Sequence, residues 1–215
     1  MITIDAVRDY FKYQLENRYF TEDRNGGKTI EMLGAAFLAD EESIFGTPNY
    51  EYIDAELDWY NSKSTNINDI YGINQQKPPK AWVYAANENG EINSNYGRLI
   101  FGAQYHKQYK QVLNELLDNE DSRRACMVYN RPSIWTEYDA QGKNDFICTN
   151  AVTYYIRDDM LHCVVQMRSN DVLFGYKNDY AWQMYILNQL REDLNYQGGF
   201  ALEVGDIHWQ VQNLH

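Results

Sequence analysis

The sequence predicts a single α+β domain. Helical stripes and turn-bounded strand runs both occur in a chain of 215 residues whose 44% hydrophobic content supports one substantial core. Thr29 to Leu38 (TIEMLGAAFL) is β-branched and apolar and follows the turn-forming Asn25-Gly26-Gly27, so it predicts a strand entered from a flexible loop. Tyr50 to Tyr60 predicts a helix, with Ile53, Leu57 and Tyr60 at helical spacing. Lys77-Pro78-Pro79-Lys80 predicts a loop, since neither proline continues a helix. A longer helix is expected from about Gln104 to Asp118, its stripe being Tyr105, Tyr109, Val112 and Leu116.

The second half adds strand signals at Ala125–Tyr129, Phe146–Ile156 and Met160–Met167, the last two joined by the turn Arg157-Asp158-Asp159. A helix from about Asp179 to Leu194 follows, with Ala181, Met184, Leu187, Leu190 and Leu194 on one side, and a final strand signal begins at Phe200. No internal repeat or low-complexity segment interrupts this order.

Composition narrows the function. A net charge of −12, from 31 acidic and 19 basic residues, disfavours binding to long nucleic acid or an anionic membrane, so an anionic ligand must meet locally clustered arginines. No apolar run approaches the roughly 20 residues of a spanning helix. The start, MITIDAVRDYF, lacks the basic-then-apolar design of a signal peptide, so a soluble intracellular protein is expected. Cys126, Cys148 and Cys163 are odd in number, without CxxC spacing or a ligand set, so neither a disulfide framework nor a metal site is expected. Nineteen tyrosines and five tryptophans suit a large interface or a ring-stacking pocket, and composition does not choose between them.

Two segments carry candidate chemistry: Asp145-Phe-Ile-Cys148-Thr-Asn150, and Met167-Arg168-Ser169-Asn170-Asp171 with Gly175 and Asn178-Asp179 beyond it. Taken alone they are only suggestive. A lone cysteine in a strand is most often a core residue, the reading given to Cys126 and Cys163. Asp179 at a helix start is accounted for by the helix dipole alone.

The ordered set of motifs resembles the thymidylate synthase family, and more closely its branch that hydroxymethylates deoxycytidylate in T-even-type bacteriophages. The likeness begins at Arg24-Asn25-Gly26-Gly27-Lys28-Thr29, similar to an arginine-and-glycine phosphate loop. It continues through Glu56-Leu57-Asp58-Trp59, Trp82, Glu91-Ile-Asn-Ser-Asn-Tyr96-Gly97 and Ser122-Arg123-Arg124. Cys148, Arg168-Ser169-Asn170-Asp171 and Asn178-Asp179-Tyr180-Ala181-Trp182-Gln183 follow, and Gly205-Asp206 stand ten and nine residues before His215. The resemblance implies a thymidylate-synthase-like α+β fold, with a mixed sheet packed with helices and a homodimer formed through the sheet. It also implies one domain over 1–215. Relatives carry a tyrosine two residues past the histidine that matches His215, then a further carboxy-terminal segment, so the expectation is a domain lacking that segment.

The same resemblance implies conversion of dCMP, 5,10-methylenetetrahydrofolate and water to 5-hydroxymethyl-dCMP and tetrahydrofolate, with no metal. Cys148 is the implied nucleophile, a thiolate adding at C6 to make C5 reactive. A free thiol has a pKa of about 8.5 that adjacent cations lower, and Arg168 is implied to do this while binding phosphate. Arg24, Arg123 and Arg124 complete the implied phosphate site, the last two donated by a second subunit. By themselves Arg123 and Arg124 read sooner as a solvated surface pair. Glu56 matches the glutamate that organises water and proton transfer, against the plain reading of a solvated helix face. Trp82 and Asp171 match the folate side, although Trp82 equally fits an ordinary half-buried aromatic.

Asp179 stands where thymidylate synthases carry asparagine. Cytosine presents an N3 acceptor and a 4-amino donor, which a carboxyl carrying or sharing a proton matches. Ser169 and Asn170 are implied substrate contacts, Asn170 to the base or a water, and His215 an implied sugar contact. Thr149 replaces the histidine that follows the nucleophile in thymidylate synthases, which favours hydration over reduction of the methylene intermediate. His208 reads as structural. The resemblance places the protein in the host cytoplasm, within reach of a phage nucleotide-synthesis complex. Two other functions stay open on the sequence: a dUMP-directed synthase or hydroxymethylase, and a non-catalytic nucleotide-binding subunit of a replication complex.

Overall fold

The computed structural model describes residues 2–22, 26–72 and 76–215. In chain order the helices are α1 (Ile4–Glu16), α2 (Tyr50–Ser62), α3 (Lys80–Ala85), α4 (Tyr96–Phe101), α5 (Gln108–Asp118), α6 (Ile134–Glu137) and α7 (Gly175–Gly198). The strands are β1 (Thr21–Glu22), β2 (Lys28–Thr29), β3 (Met32–Leu38), β4 (Cys126–Val128), β5 (Thr149–Arg157), β6 (Met160–Asn170) and β7 (Glu203–Leu214). None of the described helices is long and apolar enough to cross a membrane. The described chain forms two compact units, Met1–Pro48 with Thr153–His215, and Asn49–Val152.

In the first unit β7 lies between β3, antiparallel to it, and β6, parallel to it. The second half of β5 flanks β6. Asp158 and Asp159, at φ +53° and +56°, join β5 to β6 in the primed-turn pattern that matches strand twist. Leu161, Cys163, Val165 and Met167 of β6 and Ile207, Trp209 and Val211 of β7 are buried, alternating with half-exposed or exposed His162, Val164, Gln166, His208 and Gln210. The buried set faces α7, as the Tyr176–Trp209 ring contact at 5.1 Å shows. Trp182, Ile186, Leu187, Leu190 and Leu194 of α7 are likewise buried; each large apolar side chain removed from water contributes about 1.5–3 kcal/mol.

A β-bulge interrupts the β6–β7 register between Leu161 and Cys163. Gly205 and Asp206 there meet His162, whose Nδ1 accepts the Asp206 N–H at 2.8 Å. A Cβ on Gly205 would come within 2.6 Å of that ring, so the glycine of this Gly-Asp pair is required by the ring above it.

The second unit is built on aromatic contacts. Trp59 meets Trp82 edge-on at 5.1 Å and stacks on Tyr60 at 5.3 Å; Tyr60 stacks on Tyr96 at 5.2 Å, and Tyr96 meets Tyr129 edge-on at 5.2 Å. Asn49 caps α2 and Asn95 caps α4, each side chain accepting a backbone N–H three residues on.

Several expected elements are displaced. The strand read from Thr29 is two short pieces, β2 ending at Thr29 and β3 starting at Met32. The helix read from Gln104 begins at Gln108, because His106 and Lys107 adopt left-handed φ of +66° and +49° and leave Tyr105 outside the stripe. The strand read from Phe146 begins at Thr149, and the helix read from Asp179 begins four residues earlier at Gly175. Helix α1, unread in the sequence, buries Ile4, Val7 and Phe11 at spacings of three and four.

Gly97 sets the approach of α4 to α2, since an added Cβ would lie 1.9 Å from the Tyr60 carbonyl oxygen. Gly97→Ala should therefore cost about 3 kcal/mol by overpacking and lower the thermal midpoint by roughly 6–12 °C. An unchanged melting curve would contradict this packing.

Candidate active site

In the second unit Glu56 lies on the buried side of α2 and is 5% exposed. The Tyr52 hydroxyl donates to Glu56 Oε1, and Trp82 Nε1–H donates to the same oxygen at 3.0 Å and to Tyr52 Oη at 2.9 Å. Burial raises the Glu56 carboxyl, the two hydrogen bonds offset this only in part, and its pKa is pushed up to about 7. That settles one of the sequence alternatives, because Glu56 is not on a solvated helix face. Trp82 is half-buried and directs its N–H at this carboxyl.

Cys148 occupies a half-buried bend just before β5, its sulfur 3.9 Å from the Phe146 carbonyl oxygen. Both flanks are anchored. Asp145 is buried and accepts from Ser94 Oγ at 2.6 Å, Ser94 N at 2.8 Å and Asn93 N at 2.6 Å. On the other side the Thr149 hydroxyl donates to Tyr96 Oη at 3.0 Å, and the Asn150 carbonyl accepts from Tyr129 N at 2.9 Å. None of the three cysteines is in a disulfide. Cys163 is fully buried, which raises its thiol pKa and fits the core role read for it, and Cys126 lies half-buried in β4.

In the first unit Asn170 is buried at the end of β6. Its Nδ2 donates to Asp179 Oδ2 at 2.8 Å, and its Oδ1 accepts from Trp209 Nε1 at 3.2 Å. Asn170 therefore fixes Asp179 in the second turn of α7. Asp171 Oδ1 accepts from the amides of Leu173, Phe174 and Gly175 at 2.8, 2.5 and 3.3 Å, closing the turn into α7. His215 is tied by its backbone, N–H to the Asn170 carbonyl at 3.0 Å and carbonyl from Val172 N at 2.8 Å. Arg168 and Ser169, both half-buried, precede Asn170 on β6. A cavity of about 420 Å³ opens beside Asp171 and His215, with Phe11, Phe20, Phe45 and Leu173 among its walls and Lys12 and Lys28 at its edge.

Arg124 is 80% exposed and pairs with Glu115 Oε1 through Nη2 at 2.9 Å; Arg123 beside it is exposed. The Ser122 hydroxyl also donates to Glu115 at 2.6 Å, and with Arg124 it lowers the Glu115 pKa. Arg24 lies outside the described residues. Each unit thus carries part of the expected set: Glu56, Trp82, Arg123, Arg124 and Cys148 in the second, and Arg168 to Asp171, Asp179 and His215 in the first.

Tyr52 and Asp145 were not assigned roles from the sequence. Tyr52 was findable, standing four residues before Glu56 on a predicted helix and so on the same face. Asp145 gave no signal, since its partners Asn93 and Ser94 are about 50 residues away. Among the described residues His162, Asp206 and His208 bring possible metal-ligating atoms within 4.8 Å of one another. His162 Nδ1 is already taken by the Asp206 amide, and the nearest Asp206 carboxylate oxygen is 4.0 Å away, a geometry that holds the ring.

A family model described as thymidylate synthase matches residues 8–215, through both units. The chain is 47% identical over 215 residues to the deoxycytidylate 5-hydroxymethyltransferase of Enterobacteria phage T4, covering 100% of this chain and 86% of that protein. The enzyme of the same name from Enterobacteria phage T6 matches equally. A thymidylate synthase of Francisella philomiragia is 25% identical over 222 residues, 96% of this chain and 77% of that protein. The crystal structure of thymidylate synthase from T4 phage superimposes with a TM-score of 0.74 at 22% identity, over 97% of this chain and 75% of that one, and so shares the fold.

Glu56 carries a testable pH signature. Its pKa is higher folded, about 7, than its ordinary 4.5, so the native state binds the extra proton and stability falls as pH rises through that window. Relative to Glu56→Gln, the native protein should lose on the order of 3 kcal/mol of unfolding free energy across that range. Denaturant titrations at a series of pH values measure this, and parallel curves for the two proteins would contradict a buried carboxyl.

Proposed function

The chain belongs to the thymidylate synthase family, and we propose that it is an enzyme transferring the one-carbon unit of 5,10-methylenetetrahydrofolate to C5 of dCMP. Asp179 carries this reading. Its carboxylate is held by the buried Asn170 amide, in a chain 47% identical to the phage T4 deoxycytidylate 5-hydroxymethyltransferase. A fixed carboxyl accepts from the cytosine 4-amino group and, carrying or sharing a proton, donates to N3, which prepares the ring for attack at C6.

The Cys148 thiolate adds to C6, and C5 then attacks the folate methylene. Loss of the C5 proton and departure of tetrahydrofolate leave an exocyclic methylene on the base. Water adds to that methylene and the thiolate is expelled, giving 5-hydroxymethyl-dCMP. Glu56, with a pKa near neutrality, suits the handling of that water and its proton. Thr149, bound to Tyr96, stands where thymidylate synthases place a histidine. The cavity beside Asp171 and His215 suits the sugar and folate side, its apolar walls matching aromatic rings.

The phosphate falls to Arg24 and Arg168, with Arg123 and Arg124 of a second copy. In support, Arg123 is exposed, and the Arg124–Glu115 pair is a solvent-screened surface ion pair, readily exchanged for a dianion. The sheet face opposite α7, with Tyr155, Val164, Gln166 and Gln210 half-exposed or exposed, suits a homodimer formed through the sheet.

Mass spectrometry of nucleotide products is the test. Incubation with methylenetetrahydrofolate should give a dCMP product heavier by one CH2O, whereas product only from dUMP would overturn the substrate assignment. Cys148→Ser should abolish turnover, a loss of at least about 10⁴-fold, while dCMP binding remains measurable by calorimetry. Asp179→Asn should shift preference from dCMP toward dUMP; a variant that still prefers dCMP would place selectivity elsewhere.

A further inference from the structure

Tyr52 and Glu56 stand one turn apart on α2, and the donors that reach Glu56 converge on one oxygen. The Tyr52 hydroxyl and Trp82 Nε1–H both donate to Oε1, and Trp82 also bonds the Tyr52 oxygen, so the three groups form a closed triangle. Oε2 receives no hydrogen bond from a described residue. A carboxylate bound in this way is asymmetric, with one oxygen fixed in position and stripped of basicity and the other left to meet water. We infer that Tyr52 is the positioning residue of this carboxyl, anchoring Oε1 together with Trp82 and so assigning Oε2 as the oxygen that exchanges a proton with water.

The chemistry of the surroundings supports the assignment. Burial, and then the charge of Glu56, raise the Tyr52 phenol well above its ordinary range, so its hydroxyl remains a donor throughout the pH range in which Glu56 titrates. Among the described residues, the further groups in electrostatic contact with this pair are Tyr71, with its ring 6.3 Å from that of Tyr52, and, through Tyr71, Glu51 on the first turn of α2. Among the described residues no cation pairs with Glu56. The carboxylate form therefore depends on the hydrogen bonds of Tyr52 and Trp82, and loss of the hydroxyl should raise its pKa. Tyr52 would also restrain Glu56 through the rotamer, since a phenol held by Trp82 leaves Oε1 one place to sit.

This inference rests on the proton-handling role proposed for Glu56, so its test has one readout that needs no catalysis. Trp82 is bonded to the titrating carboxyl, and its fluorescence should report the titration. In the native protein tryptophan emission should show an inflection near pH 7 that Glu56→Gln and Trp82→Phe both remove. Tyr52→Phe should move that inflection upward by about one pH unit, a tenfold change in proton affinity. It should also lower kcat for hydroxymethyl-dCMP by 10- to 100-fold with KM within about threefold. Should Tyr52→Phe not fold, a fluorotyrosine at position 52, the same shape and a stronger donor, should move the inflection downward. An inflection that stays in place in the phenylalanine or fluorotyrosine protein overturns the inference. A shifted inflection in a protein that makes no product from dCMP upholds the positioning role and overturns the reaction instead.

Discussion

The second unit depends on the close approach of α4 to α2, which Gly97 permits because it has no Cβ to meet the Tyr60 carbonyl. That approach stacks Tyr96 on Tyr60 and completes the run of rings from Trp82 through Trp59 to Tyr129. The run touches two parts of the candidate site. Trp82 directs its N–H at Glu56, and Tyr96 accepts the hydroxyl proton of Thr149, the residue after Cys148. Rings are suited to this task because each has few rotatable bonds and a large contact area, so an error at one end is not absorbed along the way. Glu56 and the segment that carries Cys148 are thus tied to the same packed aromatic row.

Two buried carboxylates in the same unit are treated differently. Asp145 has both oxygens bonded, Oδ1 to the Ser94 hydroxyl and Oδ2 to the amides of Asn93 and Ser94, and it pins the segment that leads into the Cys148 bend. Burial raises the pKa of both groups. Glu56 differs because its donors meet on a single oxygen, which leaves the carboxyl fixed in place but incompletely solvated. A fully bonded carboxylate is a structural anchor; a half-bonded one near neutrality is positioned to move protons.

Much of the fold was legible where amphipathic period was clean. Val112 and Leu116 of α5 and Leu187, Leu190 and Leu194 of α7 are buried as their spacing requires. The errors came where local conformation overrode pattern. His106 and Lys107 turn left-handed and cut Tyr105 from its stripe, and the Cys148 bend is held by side chains remote in sequence, so it reads as strand until Asp145 meets Ser94. The candidate site was legible as identities through family resemblance, but its wiring was not. The sequence offered a solvated helix face as an alternative for Glu56, because a stripe marks where apolar residues go and is silent on a charged residue buried beside them.

The same distinction governs Asp179. In the proposed reaction its identity speaks to cytosine, yet identity alone does not hold a carboxyl still. The amide of Asn170 turns its nitrogen to Asp179 because its oxygen accepts from Trp209 on β7, which favours that orientation over the flipped one. Trp209 is in turn fully buried against Tyr176 of α7, the helix that carries Asp179. The loop closes on itself: the helix positions the indole, the indole orients the amide, and the amide fixes the carboxyl on the helix. In the proposed reaction, selectivity for a nucleobase would then rest on a core contact as much as on Asp179 itself, because an Asp179 free to rotate would offer its acceptor to uracil and cytosine alike.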